Sequence, residues 1–165
     1  APGGGFLADV VRAWEAAALE APAGTRVALA RTGVVIGPEG ATAPIRTLAR
    51  FGLAGPLGSG HQHWPWISLD DEIGALVHLL DTEVAGPVNL VGPTPATAAD
   101  IIRAVARDEH RPYWLPAPAF AVTAALRDAG RDLLLSDQRV RPTRLEETGY
   151  RFQHHTVAEA VAASP

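Results

Sequence analysis

Apolar positions recur along this chain first at helical and then at strand spacing, and the alternation repeats to the C-terminus. From Phe6 to Leu19 the residues Phe6, Val10, Val11, Trp14 and Ala18 fall on one stripe, with Asp9, Arg12 and Glu15 elsewhere, which predicts an amphipathic helix. Ala21-Pro-Ala-Gly24 breaks it. Val27 to Ile36 follows as a β-rich run that is polar only at Arg31 and Thr32 and is ended by Gly37-Pro38. Such a run predicts a strand inside a parallel sheet covered on both faces, with neighbours on either side. Further on, Ile45 to Phe51 reads as a short helix, Gly52 to Gly60 as a glycine-rich connection and Trp66 to Leu69 as a short strand. Asp70-Asp71 opens a helix over Glu72 to Leu80, where carboxylates suit the positive end of the helix dipole. Gly86 to Val91 is a second strand of the main sheet, and Thr97 to Asp100 resembles a capping box for a helix to about Asp108. Tyr113 to Leu115 is extended, Ala119 to Ala129 helical, Pro142 to Glu147 begins another helix, and Thr156 to Glu159 caps the last. The fold class is therefore α/β, without internal repeats or a clear linker.

Composition narrows the partners more than the chemistry. At 165 residues, 47% of them apolar, the chain is long enough for one domain with a sizeable core. A net charge of -4 with scattered arginines gives no broad attraction to nucleic acid or to anionic membranes. No apolar stretch approaches the roughly 20 residues of a membrane span, and the first residues do not form a signal peptide. Cysteine is absent, which excludes disulfides and thiolate chemistry and points to a reducing, cytoplasmic compartment. Methionine is absent even at position 1, as expected of a chain cut, processed or drawn from a longer reading frame.

Gly52, Gly55 and Gly58 have the spacing of a dinucleotide phosphate loop, but their setting argues against one. Such a loop needs a buried strand before the glycines and a helix N-terminus after them, whose free N–H groups hold the pyrophosphate. Here a helical segment precedes the glycines, Pro56 lies among them, and Ser59 to Pro65 continues as loop. The expected reading is an ordinary turn-forming loop.

The order of Arg31-Thr-Gly-Val-Val-Ile-Gly-Pro38, Gly55-Pro-Leu-Gly-Ser-Gly-His-Gln62, Pro65-Trp-Ile67 and Asp70-Asp71 resembles the C-terminal half of an extended short-chain dehydrogenase/reductase. With Gly86 to Val91, Gln138-Arg139, Pro142, Arg144-Leu145 and Gly149-Tyr-Arg-Phe152 added, it resembles an atypical, NAD(P)-dependent epimerase/dehydratase-like branch with a small C-terminal module. The resemblance implies late strands and helices of a Rossmann-like parallel sheet plus a small α/β substrate-binding lobe. The glycine-rich N-terminal half is missing. Within a single fragment 1–165, residues 1–37 and 84–92 would join the Rossmann-like part, and 38–83 and 93–165 the lobe and module. Arg31, Thr32, Gly33 and Val34 would line the nicotinamide side of NAD or NADP, NADP being favoured by the resemblance. Gln62, Trp66, Ser68 and Arg139 would lie near a small organic substrate.

Two departures from that pattern bear on chemistry. The family's Tyr-x-x-x-Lys pair is not found, and the chain has no lysine at all, so the proton donor is unassigned. Trp64 stands where nucleotide-sugar enzymes often carry an arginine that pairs with a diphosphate, which argues for a less charged substrate. Trp64 and Trp66 read equally as packing residues, and Arg31 and Thr32 equally as partners of a backbone carbonyl or of a carboxylate such as Asp70. Gln62, Ser68 and Asn89 suit either a ligand or a turn. Asp70 and Asp71 read as capping groups rather than an acid–base pair.

A rival metal hydrolase would use His61 and His63 with Asp70, Asp71 or His154-His155, although no surrounding ligand motif supports it, and no metal is expected. A second rival is a non-catalytic assembly module. Buried-type strands without adjacent partners tend to associate, either with another copy or with the missing half.

Overall fold

The computed structural model describes residues 6–120 and 134–164. Helix α1 spans Phe6–Leu19 as the periodicity predicts. The run expected as one strand is instead two, β1 (Ala28–Thr32) and β2 (Val34–Ile36), with Gly33 between them. A 3-10 turn (Gly40–Thr42) leads into α2 (Ala43–Arg50), and a long loop returns to β3 (Trp66–Ser68), α3 (Leu69–Asp81) and β4 (Gly86–Leu90). Then come α4 (Ala98–Asp108), α5 (Thr143–Glu147) and α6 (Val157–Ala162). Both expected capping boxes form, Thr97 with Asp100 and Thr156 with Glu159. Of the helix expected over Ala119 to Ala129, residues 121–129 lie outside the described residues.

The strands make two parallel pairs. β1 runs beside β4 with Ala28 opposite Gly86 and Thr32 opposite Leu90, while β2 runs beside β3 with Val34 opposite Trp66 and Ile36 opposite Ser68. One continuous backbone run therefore changes partner at Gly33. Its two-sided cover is incomplete, since Ala30, Arg31 and Thr32 are exposed. Helix α1 likewise leaves Val11 and Trp14 in the open, held to β1 through the Arg31–Glu15 ion pair.

Strand alternation in β3 divides the interior. Trp66 packs with α2, α4 and α6 in one apolar cluster, and Ile67 packs with α3, β4 and Leu145 of α5 in the other. Arg46 stitches the first cluster from inside. Its guanidinium reaches Asp108 at 2.7 Å and Glu109 at 3.3 Å, and also binds the carbonyls of Val161 in the last turn of α6 and of Ser164 just past its end.

The glycine run serves backbone crossing, in line with the turn-loop reading. Residues 54–57 lie beside 114–117, with Trp114 and Leu115 N–H groups donating to Ala54 O and Ala117 N–H to Pro56 O. A Cβ on Gly55 would sit 1.8 Å from Leu115 O, and Gly52 and Gly58 take φ of 73° and 58°. No pyrophosphate cradle remains there.

Gly55→Ala places a methyl inside a neighbouring carbonyl and is expected to cost more than about 4 kcal/mol or to prevent folding. Gly24→Ala, whose Cβ would meet nothing within 4 Å, should cost about 1 kcal/mol through its positive φ; urea unfolding of both variants checks the contrast. Arg46→Leu should lose about 3 kcal/mol by stranding partly buried carboxylates, whereas Arg46→Lys, which keeps the charge but not the fork, should fall between it and the native chain in the same measurement.

Candidate functional site

In open α/β sheets, ligands sit outside the carboxyl ends of the strands. In this chain those ends are Thr32 of β1 and Leu90 of β4, where three segments meet. Gly33 N–H donates to Leu90 O at 3.0 Å, Val34 N–H to Pro65 O at 2.6 Å, and Gly92 N–H to Trp66 O. A Cβ on Gly33 would lie 2.7 Å from Pro65 O, and one on Gly92 2.8 Å from the Trp66 ring. Both glycines are thus required for close approach. Beside this junction lies a small crevice walled by Trp64, Pro65, Trp66, Val91 and Gly92, with Thr94, His63, Gln138 and Arg139 as its polar lining.

The structure brings Trp66 and Arg139 to this crevice. Gly33 and Val34 join it through their backbone contacts with Pro65. The side chains of Arg31 and Thr32 have protein partners, and neither is Asp70. Arg31 Nε and Nη2 fork onto Glu15 at 2.6 and 2.7 Å, and Thr32 Oγ1 donates to Glu72 at 2.8 Å. Trp66 is buried, with Nε1–H donating to Thr94 O, and Trp64 is buried with Nε1–H donating to Leu134 O. Gln62 and Ser68 lie away from the crevice lining. Gln62 Nε2 donates to the carbonyls of Leu57 and Leu134, and Ser68 is the N-cap of α3, accepting from Asp71 N–H. Asn89 donates to Arg141 O at the strand edge.

One wall of the crevice is the segment from Leu134 to Val140, pinned to residues 62–64. Leu134 O accepts from Gln62 and Trp64, Gln138 N–H donates to His63 O, and Asp137 Oδ1 accepts both the His63 backbone N–H at 2.7 Å and a contact from His63 Nδ1 at 2.8 Å. The His63 backbone bond, followed by its ring bond, holds the Asp137 carboxyl below the usual carboxylate range. This His–Asp pair is not legible from sequence, where the two residues stand 74 positions apart and the His61-x-His63 spacing suggests only a metal ligand.

A second polar cluster sits at the start of α3, behind the junction. The Asp71 carboxylate, 1% exposed, accepts from Ser68 Oγ, from the backbone N–H groups of Gln153 and His154, and from Tyr150 Oη. Burial first, then the Asp71 charge, pushes the Tyr150 phenol well above its ordinary range. Asp71 is thereby a structural anchor for the tail, beyond the capping role expected of it. Its neighbour Glu72 has Oε1 on Thr32, while Oε2 is buried without a partner. Burial raises the Glu72 carboxyl. Among the described residues, no three His, Asp or Glu side chains are grouped so as to hold a metal ion.

Because the folded-state pKa of Glu72 lies above its unfolded value, the stability it contributes is full below the ordinary carboxylate range and is lost as pH rises through the folded value. Glu72→Gln keeps an acceptor for Thr32 and removes the buried charge. It should raise the melting temperature at pH 7 to 8 and leave it nearly unchanged at pH 4, as thermal unfolding across that range checks.

Comparison with known proteins places this geometry in context. Residues 117–164 match the domain of unknown function DUF1731. The chain is 44% identical over 163 residues to epimerase family protein ML0860 of Mycobacterium leprae, covering 97% of this chain and 53% of that protein. Its fold matches the crystal structure of human epimerase family protein SDR39U1 (isoform 2) with NADPH at a TM-score of 0.90 and 36% identity, over 99% of this chain and 57% of that one. It matches a nucleoside-diphosphate sugar epimerase from Corynebacterium glutamicum at a TM-score of 0.73 and 31% identity, over 97% and 31%. The chain thus spans about half the length of the curated relatives it matches, and over nearly all of its own length it is similar to epimerase family proteins.

Proposed function

We propose that this chain is the substrate-facing C-terminal portion of an NAD(P)-dependent, epimerase-like oxidoreductase of the extended short-chain dehydrogenase/reductase family, and that it does not turn over alone. The observation that carries the reading is the junction at Gly33. There the segment Arg31 to Val34 abuts Pro65, a wall of the crevice that also holds Trp66 and Arg139. A nicotinamide cofactor would supply hydride at this place. NADP is the favoured form, in keeping with the NADPH present in the human relative's structure. In this chain the crevice has room for about one water molecule, so Gly33, Val34 and the crevice residues would face the nicotinamide end across a site that the nucleotide-binding half completes, while the loop at Gly52 to Gly58 is filled by residues 114–117. Arg31, braced by Glu15, would hold the segment in place.

The substrate is a small, weakly charged organic molecule. Trp64 fills the place of a diphosphate-binding arginine, which leaves Arg139 as the cation lining the crevice.

A second reading, a non-catalytic assembly module, is favoured by one feature. Leu69, Ile73, Leu76, Val77 and Leu80 form an exposed apolar stripe on α3, while Val11, Trp14 and Leu19 are exposed on α1. Monomeric surfaces seldom carry such continuous stripes. Both readings expect this chain to associate, either with the nucleotide-binding half or with a second copy.

Titration of the 165-residue chain with NADPH and NADH, followed by nicotinamide fluorescence and by melting at several protein concentrations, tests the proposal. The expected outcome is no saturable binding and a melting temperature that rises with protein concentration, with NADPH binding appearing once a nucleotide-binding half is supplied. Continued absence of binding with that half present leaves the assembly module. Saturable binding by the chain alone refutes its dependence on a second half.

A further inference from the structure

The chain has no lysine and no Tyr-x-x-x-Lys pair, yet the crevice is lined by His63, whose imidazole is hydrogen-bonded to a carboxylate. We propose that His63 is the proton-transfer residue of this crevice and that Asp137 is its positioning partner. The proposal rests on the reading that a nicotinamide cofactor and a carbonyl or hydroxyl substrate meet here.

Hydrogen-bond chemistry fixes the ring's roles. An ionised carboxylate only accepts, so the 2.8 Å contact with Asp137 Oδ1 puts a proton on Nδ1. Nε2 is then the nitrogen left open to a substrate, without a partner among the described residues. The same Oδ1 takes the His63 backbone N–H. The backbone and the ring of one residue are thus tied to one oxygen, which limits ring rotation. The side chain is 27% exposed, enough for proton exchange with solvent. The charged groups around it are Asp137 on the 134–140 segment, Arg139 beside Asp137, and Asp100 at the start of α4.

In the reductive direction the cofactor supplies hydride to the carbonyl carbon and is oxidised by two electrons. The C–O π pair moves onto oxygen, which takes the proton from Nε2, and the N–H electrons remain on the ring. The product is a hydroxyl group, and the neutral imidazole regains a proton from water. In the oxidative direction Nε2 accepts the hydroxyl proton.

The test combines a spectroscopic and a kinetic readout. Long-range 1H–15N correlation spectra of the labelled chain from pH 5 to 9, with His63 assigned through His63→Gln, should show a neutral ring protonated on Nδ1. Asp137→Asn should shift that tautomer balance. A ring protonated mainly on Nε2, or one indifferent to Asp137→Asn, overturns the proposal. With the nucleotide-binding half in place, NADPH oxidation against a panel of small ketones, aldehydes and quinones should fall about 10²-fold in His63→Gln. Its alkaline limb should vanish while NADPH affinity stays within about twofold, the small change expected of a residue that binds substrate and not cofactor. Asp137→Asn should move that limb, and Asp137→Glu should restore part of the rate. Unchanged rate and pH profile in His63→Gln, or NADPH binding with no oxidation by the native protein across the panel, overturns the proposal alone. Absence of NADPH binding overturns the cofactor reading, and the proposal with it.

Discussion

The architecture depends on one backbone constraint, the change of hydrogen-bonding partner at Gly33. Up to Thr32 the strand is registered against β4, and from Val34 it is registered against β3. Buried backbone donors and acceptors must be paired. The chain meets that demand on both sides of a residue that has no side chain to obstruct Pro65. Everything near the crevice inherits its position from this switch. It brings Pro65 and Trp66 to the ends of β1 and β4, and the Trp66 carbonyl then receives Gly92.

Buried polar groups secure the parts that apolar packing alone would leave loosely oriented. Asp71 ties the start of α3 to the turn at Gln153-His154, and Arg46 ties α2 to the ends of α4 and α6. Both are long-range and multiply bonded, which suits the low-dielectric interior, where a partly satisfied charge is costly. Satisfaction is incomplete at two places: Arg46 Nε is buried without a partner although its other two nitrogens are bonded, and Glu72 has one oxygen unpaired beneath the exposed end of β1.

Much of the element order was legible because it is local. Helix α1, the α4 and α6 caps and the β4 strand follow from periodicity and capping chemistry within a few residues. The break at Gly33 was not legible, since the run from Val27 to Ile36 is apolar throughout apart from Arg31 and Thr32, and only Pro65, 32 positions later, gives the glycine its reason. Site residues divide along the same line. Trp66 and Arg139 come to the crevice, whereas the polar side chains of Arg31 and Thr32 meet carboxylates on α1 and α3 that no spacing rule pairs with them. His63 and Asp137 were invisible as a pair for the same reason.

The wall built from Leu134 to Val140 also has an entropic meaning. Its bonds to Gln62, His63 and Trp64 span 70 to 75 residues of chain, so their formation carries the loop-closure entropy of a non-local contact, unlike that of the local helices. The crevice is therefore a long-range feature, like the Asp71 bonds to Gln153 and His154, and no local segment can form it alone. The polarity around any bound substrate is therefore set jointly by two stretches of chain far apart in sequence, 62–66 and 134–140, and a change in either alters it.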